Sequence, residues 1–323
     1  MKWLWKWMGV VALGAAAGAF AQEYPARPVV MLVPYAAGGP VDVTGRVLAL
    51  SMTKSLGQTV LVENRPSAGG FLAPEMVKKA KPDGYTILIH HIGMATIPAL
   101  YRDPRFNPLT DFEYIGLINT VPMTIIAREG FPAKDFREFL AYIKANSARI
   151  TMANAGIGAA SHLCGLLFMS AIQTDFLTVS YKGSAPAMNE LLGGHVDFTC
   201  DQTTSTTSQI KAGKVKAYAV TSSRRVPSLP DIPTLEELGL KGFELGIWNG
   251  LYAPKGTPKP VIDRLVAALQ DALKDAGVKE RFAELGAETM PLDRATPEAL
   301  HRTLTAEIHK WRPIIQNSGA YGD

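Results

Sequence analysis

Unbalanced charge, long apolar runs and clustered cysteines are what this sequence has least of. It carries 33 basic against 29 acidic side chains over 323 residues. That near balance gives no electrostatic case for nucleic acid or for an anionic membrane surface. No apolar run reaches the ~20 residues that span a bilayer. The only cysteines are Cys164 and Cys200. Two so far apart, with no paired histidine spacing, make no metal site and no disulfide-dense scaffold. The dinucleotide G-x-G-x-x-G, the terminal G-K-[ST] of a phosphate-binding loop and the G-x-S-x-G nucleophile elbow are all missing. No metal or cofactor is expected.

The first residues are distinctive. Met1–Trp7 carries Lys2 and Lys6 and no acid, Met8–Gly18 is apolar or small, and Ala19-Phe20-Ala21 precedes Gln22. A basic region, a short apolar region and an A-x-A site form an export signal over residues 1–21, which places the mature protein in the periplasm. No cysteine follows for lipid attachment. An oxidising compartment permits a Cys164–Cys200 disulfide. Two buried thiols fit the residues equally well. An apolar fraction of 47% makes the chain globular, and its length suggests about two domains.

Past the signal, apolar runs alternate with amphipathic stretches. Strand-like Val29–Val33 ends at Gly38-Gly39, and a helix is expected over Val43–Leu56. Thr59–Val62 and Tyr85–Ile89 read as strands, then Thr124–Ala127 as another and Ala133–Asn146 as a helix. The alternation restarts with strands at 150–153, 176–181, 196–200 and 216–221, and helices at 161–172 and 185–192. This βαβα order implies an α/β fold with a mainly parallel sheet, in two lobes. A short helix is expected at Leu235–Leu238 and extended chain at Phe243–Ala253. A helix capped by Thr257 follows, with apolar positions Val261, Leu265, Val266, Leu269 and Leu273. It and an amphipathic helix over Pro297–Ile315 have no strands of their own and are expected to pack on the first lobe.

Two loops stand out. Pro34 to Asp42, containing Tyr35, Ala37, Gly38 and Gly39, runs from a buried strand into a helix, where sheets of this kind place ligands. Glycines permit close approach, and the N–H groups of a helix start attract an anion. A lone Gly-Gly also reads as an ordinary tight turn with Asp42 as a first-turn acid. Asn154 to His162, containing Gly158, Ala160 and Ser161, repeats the arrangement in the second lobe, with Ser161 as the expected cap. Two such helix starts suit the opposite ends of a diacid. Tyr181-Lys182-Gly183, with Pro186 opening a helix, and a hydroxyl-rich strand end holding Asp201 and Thr203 complete the polar set.

These loops carry a resemblance. Val33-Pro34-Tyr35 through Gly38-Gly39, Asp42 and Arg46 belong to it, as do Glu63-Asn64-Arg65 with Gly69-Gly70 and Pro82-Asp83-Gly84-Tyr85. Asp111-Phe112 with Ile115-Gly116, Gly156–His162, Tyr181-Lys182-Gly183, Leu191–Gly194 with Val196-Asp197, and Ala253–Pro258 extend it over nearly the whole mature chain. The sequence resembles the substrate-binding proteins of tripartite tricarboxylate transporters, the Bordetella uptake gene family. The resemblance implies a type II periplasmic-binding-protein fold. Its lobes would be residues 22–123 with 247–323, and 124–246, joined by two hinge strands. It also implies that a ligand carboxylate is held by the Tyr35–Asp42 and Gly156–Ser161 loops, and that the partners are membrane permease subunits. One departure is Ala159, where the family usually has a hydroxyl residue. Either backbone groups at Ala160 and Ser161 suffice, or the ligand's second end is less polar.

Of the adjacent His90 and His91, one at most faces the cleft, and His91 or its neighbour Met94 is the expected contact. Trp248, in the aromatic stretch taken as the returning hinge strand, either walls the cleft or packs at the hinge. A C4 diacid, a citrate-like acid or an aromatic diacid fits these residues, and a monomer is expected. Two other functions fit the same loops. A hydrolase would depend on Ser161, whose neighbour His162 is poorly placed as its base. An extracytoplasmic sensor adaptor would bind the same ligand and hand it to a receptor kinase.

Overall fold

The computed structural model describes residues 24–102 and 105–319. The expected export signal lies outside them. Among the described residues no helix is long and apolar enough to cross a membrane.

The chain opens with β1 (Val29–Val33), α1 (Pro40–Leu56), β2 (Val60–Asn64), a 3₁₀ turn at Ala68–Gly70, α2 (Leu72–Lys78), β3 (Thr86–His91) and α3 (Gly93–Leu100). A long strand, β4 (Phe112–Arg128), leads into α4 (Phe136–Asn146), β5 (Thr151–Asn154), α5 (Ala160–Ile172), β6 (Leu177–Ser180), α6 (Ser184–Leu192), β7 (Phe198–Gln202), α7 (Thr203–Lys211) and β8 (Val215–Val220). The return is β9 (Gly246–Pro254), α8 (Lys259–Lys274), α9 (Ala276–Glu284), β10 (Glu288–Thr289) and α10 (Pro297–Ser318).

The lobes differ in sheet but share β4. In the first, β1 lies parallel between β2 and β3, and β9 runs antiparallel to both β3 and β4. In the second, β5 lies parallel between β6 and β7. Residues of β4 up to Pro122 pair with β9, while those from Met123 onward pair with β7 and β8. Pro122 has no N–H to give a ladder, and it stands where the ladder changes partners. Gly246, the first residue of β9, pairs with it. Both chain crossings between lobes therefore lie side by side.

Local chemistry explains the element ends. β1 is apolar throughout and almost wholly buried, as a central parallel strand covered on both faces must be. Pro40 starts α1, and Gly57, in the left-handed region at φ 72°, ends it. Asp135 caps α4 by accepting from the Glu138 amide, and Thr296 caps α10 by accepting from Ala299. Helices α8 and α10 do pack on the first lobe, against α1 and α3 respectively. The second lobe is built on aromatics, with Phe139 stacked on Tyr218 at 4.4 Å.

Several expectations need correction. The strand expected at Thr124–Ala127 is the far end of the 17-residue β4. Leu235–Leu238 is a single turn: Thr234 and Glu237 cap each other, but Gly239 at φ +96° ends it at once. Thr257 does not cap α8; its hydroxyl donates to the Pro254 carbonyl, and Pro258 is the capping residue. Thr203 begins α7 rather than closing a strand. Threonines favour strands by propensity, but here tertiary bonds decide. The Thr203 hydroxyl donates to Gly286 O at 3.0 Å and Thr207 to Leu285 O at 3.3 Å, both on the other lobe.

The two cysteines are joined. Cys164 of α5 and Cys200 of β7 form a disulfide with Cα atoms 6.1 Å apart, pinning a helix to the central strand of the second lobe. Their separation of 36 residues makes the loss on reduction roughly 3–4 kcal/mol in the chain-entropy account. Denaturant titration with and without reductant is expected to show that loss. An unchanged midpoint would mean that the crosslink contributes nothing.

Candidate functional site

Between the lobes lies a small cavity on which helices from both sides begin. The first lobe contributes Tyr35, Pro40 and Val41 from the β1–α1 turn, and His91 from the end of β3. The second contributes Ala155, Ala159, Ala160 and Ser161 around the start of α5, Ser184 at the start of α6, and Asp201 and Gln202 where β7 passes into α7. The space open to a water-sized sphere is about 10 Å³, room for about one water molecule. Wider grooves of about 660 and 620 Å³ lie on the surface. The first is formed around the C-terminal ends of α5 and α10, the negative ends of helices and a poor place for an anion.

Helix starts give the cavity its character. The amides of Val41 and Asp42 in α1, and of Ala160 and Ser161 in α5, have no acceptor among the described residues. Neither α1 nor α5 has a side-chain cap. An anion between them would meet N–H donors from both lobes, gaining ~0.3–1 kcal/mol from each dipole and up to ~2 when partly buried.

The expected site residues divide into two groups. Tyr35, His91, Ala160, Ser161 and Asp201 line the cavity. The others stand behind it or away from it. Asp42 faces back into its own loop, accepting from Gly38 N at 2.9 Å, Arg46 Nε at 2.9 Å and Asn64 Nδ2 at 2.9 Å. Burial alone would raise its carboxyl, but those bonds outweigh it and hold the pKa below the ordinary value. Ala37 and Gly38 are exposed, and Gly39 is the capping position of α1.

Gly158 and Gly183 bring the lobes into contact. A Cβ on Gly158 (φ +83°) would lie 2.5 Å from Leu100 of the first lobe, and one on Gly183 (φ +132°) 3.0 Å from the Ala36 nitrogen. The Thr96 hydroxyl donates across to Gly158 O at 3.2 Å. Lys182 is exposed and Tyr181 half-buried. Thr203 bonds across the lobes, as described above. Trp248 is buried in the apolar cluster that contains Leu300 and Trp311, and Met94 is likewise buried in that cluster.

Ser161 does not cap α5; Ala159 holds that position. Its hydroxyl instead accepts from Ala155 N at 2.8 Å, bracing the loop. His162 Nδ1 accepts from Gly158 N at 3.3 Å. The pair therefore shares no hydrogen bond of the kind a nucleophile and its base require. Pro186 is the third residue of α6, which starts at Ser184.

The cavity-lining residues that sequence reasoning did not single out are Pro40, Val41, Ala155, Ser184 and Gln202. A proline at the first helical position was the available signal for the start of α1. Nothing comparable marks Gln202, whose Oε1 is buried without a partner.

His91 stacks on Tyr35 with ring centroids 5.0 Å apart. Gly93 N donates to its Nδ1 at 2.8 Å, which leaves the proton on Nε2. Burial holds its pKa well below the usual imidazole range, with His90 adding to the effect, so it is a neutral donor. Among the described residues, Asp201 is the one acid on the cavity wall. Burial pushes its carboxyl up to about 6, against hydrogen bonds from Gln202 N, Ser184 and Ser205.

Two α/β lobes, paired crossing strands and a cavity ringed by helix starts define a solute-binding protein of the periplasmic-binding-protein fold. Residues 44–320 match the tripartite tricarboxylate transporter family receptor, and the chain belongs to that family. It is 50% identical over 297 residues to the UPF0065 protein in the TAR-I ttuE-ttuC' intergenic region of Agrobacterium vitis, covering 92% of this chain and 86% of the relative. Its structure is similar to that of periplasmic binding protein BugD, at 54% identity and TM-score 0.90 over 93% of this chain and 100% of that one. It is also similar to MatC from Rhodopseudomonas palustris with bound malate, at 37% identity and TM-score 0.86 over 90% and 100%. The family and the fold expected from the sequence are those found.

The Asp201 environment makes stability depend on pH. A folded-state pKa raised from 3.8 to about 6 leaves its contribution whole below about pH 4 and lost as pH rises through 6. Asp201→Asn is expected to gain on the order of 2 kcal/mol over wild type between about pH 4 and pH 8. Thermal unfolding at the two pH values reads this. An equal difference at both would remove the charge as its cause.

Proposed function

We propose that the protein is a periplasmic solute receptor that captures a small carboxylate, a dicarboxylate above all, for a tripartite tricarboxylate-type transporter. The observation that carries this reading is the meeting of unpaired amides from α1 and α5 on one cavity. Family membership and the likeness to MatC with bound malate support the carboxylate class. The cavity is far smaller than a four-carbon diacid, so entry requires the lobes to part about the crossings at Pro122 and Gly246. Such a ligand would meet donors at Val41 and Asp42 on one lobe and at Ala160 and Ser161 on the other. Tyr35, His91 and Ser184 would set the shape of what fits between.

Ala159 brings no hydroxyl, and backbone groups of α5 take its place. With Trp248 in the core, an aromatic ligand would rest on the Tyr35–His91 pair alone, which favours aliphatic acids. Cleavage of the export signal would free a monomer to carry its ligand to the permease subunits.

Calorimetric titration with mono-, di- and tricarboxylates is expected to find at least one dicarboxylate bound in the micromolar range or tighter. The reading fails if no acid binds. It fails equally if turnover of an ester or amide is found and is abolished by Ser161→Ala.

A further inference from the structure

Asp201 is hard to reconcile with a cavity built for anions. It is buried on the cavity wall. Its Oδ1 accepts from Ser184 Oγ at 3.0 Å and from Gln202 N at 2.9 Å. Its Oδ2 accepts only from Ser205 Oγ at 2.9 Å. That hydroxyl has a second acceptor in Gln202 O at 3.0 Å, so it can release Oδ2.

Among the described residues no cation balances the acid. The ionisable groups sharing the cavity from the first lobe are Tyr35 and His91. Burial keeps the Tyr35 phenol protonated and the His91 ring neutral. Behind the α5 loop, burial lowers His162 to about 4. On α1, Asp42 is paired with Arg46. Lys182, ahead of α6, is exposed. From β4, only the Thr124 hydroxyl reaches Asp201, at its backbone carbonyl.

A carboxylate entering this cavity therefore brings a second negative charge beside an uncompensated first, in a medium of low dielectric where two such charges do not both persist. Resting on the receptor reading above, we propose that Asp201 takes up one proton when the ligand binds and donates it, from Oδ2, as a hydrogen bond to the ligand carboxylate. The proton comes from bulk solvent, adds to Oδ2, and leaves the ligand fully ionised against the helix starts. Asp201 thus makes capture proton-linked. The free carboxyl already sits near 6, so the linkage falls in the range where a periplasm acidifies or turns alkaline. A ligand bearing an ammonium group would balance Asp201 differently and need no proton.

The test uses the mature protein and malate, succinate, citrate and phthalate as probes. The tightest binder is titrated by calorimetry in phosphate and in Tris, buffers of different ionisation enthalpy. At about pH 7.5 the expected uptake approaches one proton per ligand, and Kd weakens about tenfold per pH unit above pH 6. In Asp201→Asn both the uptake and the pH slope should vanish. Should that variant not fold, the ¹³Cγ resonance of Asp201 in wild type, followed with and without ligand, assigns the proton. Binding without proton uptake, or uptake that persists in Asp201→Asn, overturns this inference and leaves the receptor reading standing. Failure of every acid to bind overturns both.

Discussion

A helix that begins against buried protein leaves its first N–H groups without partners, and here helices from two lobes begin on the same cavity. The demand is physical before it is functional. Buried amides that lack an acceptor cost free energy until something supplies one, and an anion satisfies them best. The surrounding polypeptide follows from holding those starts in place. Asp42, Arg46 and Asn64 lock the β1–α1 turn from behind. Asn154 Oδ1 accepts from Gly156 N and from the Ser180 hydroxyl, doing the same for the β5–α5 turn.

Closure is the second half of the design. Both crossings lie together at Pro122 and Gly246, a narrow line about which the proposed parting of the lobes would turn. The surfaces that meet are small or glycine-rich at the cavity rim, as at Gly158 and Gly183. Hydroxyl-to-carbonyl bonds from Thr96, Thr203 and Thr207 join the lobes, and the exposed Arg224–Glu288 ion pair at 2.9 Å adds a charged contact. Such bonds are worth only about 1 kcal/mol each. Contacts of this size suit the reversible closure that the receptor reading would require.

Much of this was legible in the sequence. Alternating apolar runs gave the two βα lobes, and glycines after strands marked both helix starts. The closing helices were readable by their apolar spacing. What failed did so for tertiary reasons. The threonines of α7 look strand-like, yet its hydroxyls bond the other lobe. Trp248 has an equal claim to cleft or core until the facing of β9 is known. Asp42 and Asp201 are both acids beside helix starts. One is spent on its own loop and the other stands on the cavity wall, a distinction set by burial and partners that no spacing reveals. The disulfide, too, depended on a Cα separation that only the fold supplies.

The central claim is that backbone amides of both lobes, rather than charged side chains, hold the ligand carboxylate. A crystal structure of the protein with its tightest-binding acid tests this directly. The account predicts carboxylate oxygens about 3 Å from the Val41 or Asp42 nitrogen on one side and from the Ala160 or Ser161 nitrogen on the other. A carboxylate seated on lysine or arginine side chains, or held by one lobe alone, would contradict it.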